Sequence, residues 1–128
     1  MLELDSADSR PLYSQIMDEI RRNVVLGVWA ADEPLPSVRQ MASELRVNPN
    51  TVQQAYRELE REGVVYVLRG QGTFVSVGAG RSQRAPLLRA FAQRIAREAY
   101  RSGFTTSDLM EALQELGPEE TFDREDAT

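Results

Sequence analysis

Between residues 45 and 49 the sequence leaves room only for a tight turn, and no other feature constrains the fold as much. On the near side, "SVRQMASEL" turns Val38, Met41, Ala42 and Leu45 to one face at helical spacing, behind Ser37 as N-cap. On the far side, Val52, Ala55, Tyr56 and Leu59 recur at i, i+3, i+4 and i+7, which predicts a helix from about 49 to 62, stopped by Gly63. Asn48 stands where an N-cap belongs, and Pro49 occupies the first helical position, where a missing N–H costs nothing. Two amphipathic helices separated by "RVN" must cross to bury their faces. Ala42 is small enough to let them approach, and Val47 is placed to plug the turn.

The flanks extend the pattern. Past Pro11, Leu12, Ile16, Ile20 and Val24 recur every four residues, with Tyr13 and Met17 widening the stripe and Gly27 placed as a C-cap. The loop "VWAADEPLPS" follows, and Trp29 and Tyr56 read as core aromatics. After the second and third helices come "VVYVL" (64–68) and "TFVSV" (73–77), two β-prone runs joined by "RGQG", which supplies glycines for a hairpin turn. Two helices across a short turn, then a glycine-tipped hairpin, describe a winged helix-turn-helix. The expected fold class is α+β and mostly helical, with this domain over residues 1–77.

Residues 78–85, "GAGRSQRA", read as a polar linker. Beyond Pro86, Leu87, Leu88, Phe91, Ile95 and Ala99 predict a fourth helix, ended by Gly103. "TTSD" caps a fifth, in which Leu109, Met110, Leu113 and Leu116 recur. Two isolated amphipathic helices of this size cannot bury their own apolar faces. The economical partner is the same surface on a second copy, so residues 86–116 are expected to be a small two-helix dimerisation extension using Leu88, Phe91, Ile95, Leu109 and Leu113. Packing onto the chain's own first helix is the alternative. Residues 117–128 form an acidic tail, expected to be disordered.

Charge needs to be read locally. The net −5 of the chain includes five acids and one Arg in "GPEETFDREDAT", a net −4, so residues 1–116 carry 14 Arg against 15 acids, a net −1. Every basic residue is Arg, which suits bidentate phosphate and base contacts. With no Cys and no His, disulfides, thiolate catalysis, Cys-type zinc sites and the commonest general base are excluded. No Gly-rich phosphate loop follows a strand, so an enzyme is not expected, nor a cofactor or a bound metal. No apolar run reaches the roughly 18 residues of a membrane span, and "MLELDSADSR" lacks the pattern of a signal peptide. The default location is cytoplasmic.

"PLYSQIMDEIRRNVVLGVW", "PLPSVRQMASEL", "VNPNTVQQAYRELEREGVV" and "RGQGTFVSV" together resemble the DNA-binding domain of the GntR family of bacterial transcription regulators. The likeness covers roughly residues 11–77, with the motifs in the family's order and spacing. The short extension is similar to that of the YtrA subfamily, whose members are often linked to transporter operons, and this implies a repressor. Two departures stand out. The family usually has Pro-Gly where this chain has Ala31-Asp32, and it favours Gly where this chain has Arg46. The second implies that the turn needs no positive φ here or tolerates strain.

The outward N-terminus of the third helix offers Asn50, Thr51, Gln53 and Gln54 to base edges in a DNA major groove. Arg39, Arg46, Arg57 and Arg69 flank it as phosphate contacts. The resemblance independently implies DNA contact at Arg39, Asn48, Asn50, Thr51, Gln53 and Gly70. Asn48 could serve only as a cap, and Gly70 only as a turn residue. The expected function is a homodimeric, sequence-specific repressor on a palindromic double-stranded DNA operator. An effector pocket for a small molecule would have to form at the dimer interface, and the sequence declares none. The competing reading is a winged helix used only for protein–protein interaction.

Overall fold

The computed structural model describes residues 2, 4 and 8–118, and the chain divides into two compact units, Met1–Ala90 and Phe91–Thr128. The first begins with α1 (Leu12–Val25), which buries Ile16, Met17, Ile20 and Val24, whereas Leu12 is left 46% exposed at its first turn. Beyond Leu26, Gly27 takes a φ of +80° and the Val28 amide donates to the Asn23 carbonyl at 2.8 Å, a left-handed stop only glycine adopts freely. α2 (Val38–Leu45) opens on a reciprocal cap. The Ser37 hydroxyl accepts from the Gln40 amide at 3.1 Å, while Gln40 Oε1 accepts from the Ser37 amide at 2.9 Å. α3 (Pro49–Arg61) packs Val52, Ala55, Tyr56 and Leu59 into the core. Tyr56 is carried there with its hydroxyl satisfied, donating to the Pro36 carbonyl at 2.6 Å, and burial raises its pKa far above the ordinary phenol range. Trp29 packs against the edge of the same core.

β1 (Val65–Leu68) and β2 (Gly72–Val75) pair antiparallel, with Val65 opposite Val75 and Leu68 opposite Gly72. The second strand is displaced from its expected position: it takes in Gly72 and ends at Val75. Its outer edge is occupied by the α1–α2 loop. The amides of Asp32 and Leu35 donate to the Val75 and Thr73 carbonyls at 2.7 and 2.8 Å, and the Val75 amide returns one to Glu33 at 2.9 Å. Pro34 bridges Phe74 there, so the loop serves as a third strand and neither edge of β2 is left bare. Ile16, Ile20, Met41, Val52, Leu59, Val64, Val65 and Val75 form the fully buried centre.

Residues 78–85 are not the polar linker their composition suggests. After Gly78 (φ +84°) they wind into α4 (Ala79–Ser82), which buries Ala79, lays Gly80 against the C-terminal end of α1 and is followed by the buried Gln83. Small residues here serve close helix packing rather than flexibility. α5 (Arg84–Arg101) therefore starts two residues before Pro86, which sits in the first turn where no N–H is required. In the second unit, Gly103 closes α5. α6 (Thr106–Leu116) then begins on a Thr105–Asp108 capping box and ends at Gly117. Most of the acidic tail expected to be disordered, residues 119–128, lies outside the described residues. Among the described residues, no helix is long and apolar enough to cross a membrane.

Candidate nucleic-acid interface

The exposed N-terminus of α3 is built by the residues that begin it. Asn48 has an extended backbone (φ −64°, ψ 131°), and its Oδ1 accepts from the Asn50 amide at 2.8 Å, so its cap role is occupied although the residue is exposed. The Thr51 amide donates to the Asn48 carbonyl at 3.0 Å, which starts the helical ladder. Burying Val52, Ala55 and Tyr56 leaves Asn50, Gln53 and Gln54 on the exposed face, with Thr51 half-buried between them. That face carries donors and acceptors without net charge, at the positive end of the helix macrodipole.

Arg46, in the turn, has φ 57° and ψ 49°, a left-handed conformation. The Val47 amide donates to the Ala42 carbonyl at 3.0 Å across it. The turn thus keeps positive φ and accommodates the strain of a side chain. Asp32, at the other departure, does the same with φ 65°. There the cost is offset locally: the Tyr66 hydroxyl donates to Asp32 Oδ1 at 2.7 Å, which holds the phenol above its usual pKa, and Tyr66 stacks on Phe74 with ring centroids 5.6 Å apart.

Between α3 and the wing lies a groove of about 310 Å³ that brings together Gln53, Arg57 and Gly70 from the expected site. It is also lined by Glu60, Gln71 and Thr73, three polar groups absent from the expected site. Gln71 sits between two glycines, and that flanking was the available signal. Gly70 (φ +76°) turns the chain so that the Gln71 amide donates to the Leu68 carbonyl at 2.9 Å. Arg39 on α2, Arg46 in the turn and Arg69 at the wing are exposed around this surface rather than within the groove.

Ion pairing separates two classes of arginine. Arg10, Arg21, Arg22 and Arg61 pair with carboxylates of Asp8, Asp18, Glu62, Glu19 and Glu58. Arg39, Arg46, Arg57 and Arg69 form no ion pair with another described residue, nor do Arg81 of α4 and the five arginines of α5. Carboxylates near α1 and at the C-terminal end of α3 thus hold four arginines, while those around the exposed face of α3 are left for a polyanion to meet.

The profile of bacterial regulatory proteins of the gntR family matches residues 12–75. The HTH-type transcriptional repressor YtrA of Bacillus subtilis (strain 168) is 33% identical over 119 residues, covering 91% of this chain and 92% of that protein. The chain belongs to the gntR family. A GntR family transcriptional regulator from Listeria monocytogenes has the same fold, with a TM-score of 0.65 and 29% identity over 84% of this chain and 96% of that one. The DNA-binding domain of AraR, solved in complex with operator ORE1, is 29% identical with a TM-score of 0.52, over 57% of this chain and 89% of that one. A gntR-family chain of this kind is a DNA-binding transcription regulator and not an enzyme.

Proposed function

We infer that this regulator is a homodimeric repressor that reads a palindromic operator with the N-terminus of α3. The observation that carries the reading is the uncharged amide and hydroxyl surface of Asn50, Thr51, Gln53 and Gln54, framed by arginines that have no carboxylate partner among the described residues. Amides can bridge adenine N6 and N7, and Thr can meet a thymine methyl group. Arg39, Arg46, Arg57 and Arg69 take phosphates and set the register, and the Asn48 NH2 and the backbone at Gly70 add contacts at the rim. The repressor names of the similar proteins support the direction of regulation.

The dimer rests on the C-terminal helices. Neither α5 nor α6 has a buried residue, and Leu88, Phe91 and Leu113 are 68%, 49% and 53% exposed, with Ile95 and Leu109 half-buried beside them on the same stripes. α5 carries five Arg against Glu98, and α6 carries Asp108, Glu111 and Glu115 with no base. A second copy supplies both an apolar and an oppositely charged surface to each helix. An effector of small-molecule type would be held at that interface.

The test is footprinting of the full chain on DNA upstream of its own gene, alongside a double variant, Arg39→Ala with Thr51→Ala. Protection of a two-fold symmetric site by the native chain is expected. The double variant should bind at least about a hundredfold more weakly, from one phosphate and one base contact. Protection of an asymmetric site, or unchanged binding by the variant, would sink the reading.

A further inference from the structure

Arg21 lies outside the DNA-facing surface, yet its guanidinium joins three parts of the first unit. Nη1 donates to Asp18 Oδ1 on α1 at 2.9 Å, and Nη2 to Glu62 Oε1, just beyond the C-terminal end of α3, at 2.5 Å. Nε donates to Gln83 Oε1 at 3.0 Å. The side chain is only 12% exposed, and Asp18 is held from its other oxygen by Arg10. Gln83, 6% exposed, is the elbow between two helices. Its amide donates to the Ala79 carbonyl at 2.9 Å to end α4, and its carbonyl accepts from the Leu87 amide at 3.1 Å to start α5. A guanidinium is planar and its donors point in fixed directions, so three simultaneous partners define an orientation as well as an attraction. The end of the reading helix and the start of the extension are thus registered through one side chain.

We propose that Arg21 and Gln83 are positioning residues for operator selection: by fixing how α5 leaves the winged helix, they set the separation of half-sites that the dimer accepts. The inference rests on the dimeric reading above. Exposed surface ion pairs contribute little, and Glu62 is 43% exposed, but Arg21 and Asp18 are shielded from water and Gln83 is neutral and buried, so the geometry of these three is the part that matters. Loss of the Gln83 contact leaves both carboxylates paired with Arg21 while freeing the elbow. The base-reading surface is untouched.

The experiment selects bound duplexes from a pool randomised over about three helical turns, using the full-length native chain, Gln83→Ala, Gln83→Glu and Arg21→Ala. The native chain should enrich paired half-sites at one spacing. Gln83→Ala should enrich the same half-site sequence over several spacings, with discrimination against a one-base-pair change falling about tenfold, the scale of one charge-assisted hydrogen bond. Gln83→Glu retains an acceptor for Nε and should keep the native spacing. Should Arg21→Ala fail to fold, Gln83→Ala carries the test alone. A single retained spacing in Gln83→Ala, or an equal loss of affinity at every spacing, overturns the proposal. Enrichment of unpaired half-sites by the native chain overturns the dimeric reading as well, which distinguishes the two failures.

Discussion

Arg46 carries two opposed demands at one position. Its backbone must be left-handed for the α2–α3 turn to close, which costs a non-glycine residue roughly 1–2 kcal/mol. Its side chain is one of the cations with no ion-pair partner among the described residues. Arg46→Gly should therefore separate the two. Relief of strain, partly offset by the freer unfolded chain, should stabilise the fold by about 0.5–1 kcal/mol, a rise of about 2–6 °C in thermal midpoint. Operator affinity should fall meanwhile, with the slope of log K against log salt shallower by about 0.9 for one lost phosphate contact. A variant that loses stability would show the turn to be unstrained. At this scale the sequence was only partly legible. The motif flagged positions 32 and 46 as departures but left open whether the turn changed conformation or bore the strain. Only backbone angles distinguish these, because both Asp32 and Arg46 hold a positive φ with a side chain that glycine would lack.

Elements announced themselves where a local rule governs them. Asn48-Pro49 marks the start of α3, and Ser37 with Gln40 marks that of α2, because caps are satisfied within three residues. α4 escaped notice because Gly, Ala and Ser are small for a tertiary reason, the approach to α1, which no local pattern records. The third edge of the wing escaped for the same reason, since residues 32–35 pair with a strand some forty residues away. The cap of α6 gives a pH test of the local rule. Hydrogen bonds that the carboxylate accepts from the Thr105 backbone amide, foremost, and from the Thr105 hydroxyl hold the Asp108 carboxyl below its ordinary pKa of 3.8. A carboxylate whose pKa is lowered by folding stabilises the folded form above that ordinary value, and the contribution is lost as pH falls through the lowered folded value. The first turn of α6 should therefore fray below about pH 4 while remaining intact at pH 6. Amide exchange of residues 106–109 measured between pH 6 and 2, and corrected for intrinsic rates, checks this. Asp108→Asn, which cannot ionise, should remove most of the dependence; a profile unchanged by that substitution would assign the fraying to another group.

For the whole molecule, the open account is apolar surface. The winged helix encloses its own core, but on α5 and α6 the side chains of Phe91, Leu113 and Leu116 are about half exposed, and Leu88 more so. Fully covering one such side chain contributes about 1.5–3 kcal/mol, so a handful from each of two copies suffices to offset the cost of association. Two-fold pairing also doubles the reading surface without adding a residue, and the second half-site then binds as an intramolecular event. Phe91→Glu puts charge into the middle of that stripe at a position exposed in the single chain, so the fold of one copy should tolerate it. The native chain should sediment at twice its 14.4 kDa, and the variant at 14.4 kDa with an unchanged thermal midpoint at high dilution. Its binding to a full operator should weaken about a hundredfold or more while its binding to a single half-site is preserved. Leu113→Glu, on the partner stripe of α6, should reproduce both effects. If the native chain sediments as a monomer at micromolar concentration, the extension serves something other than self-association. If Phe91→Glu unfolds the chain instead, Phe91 belongs to an internal core and the exposed stripe is not where two copies meet.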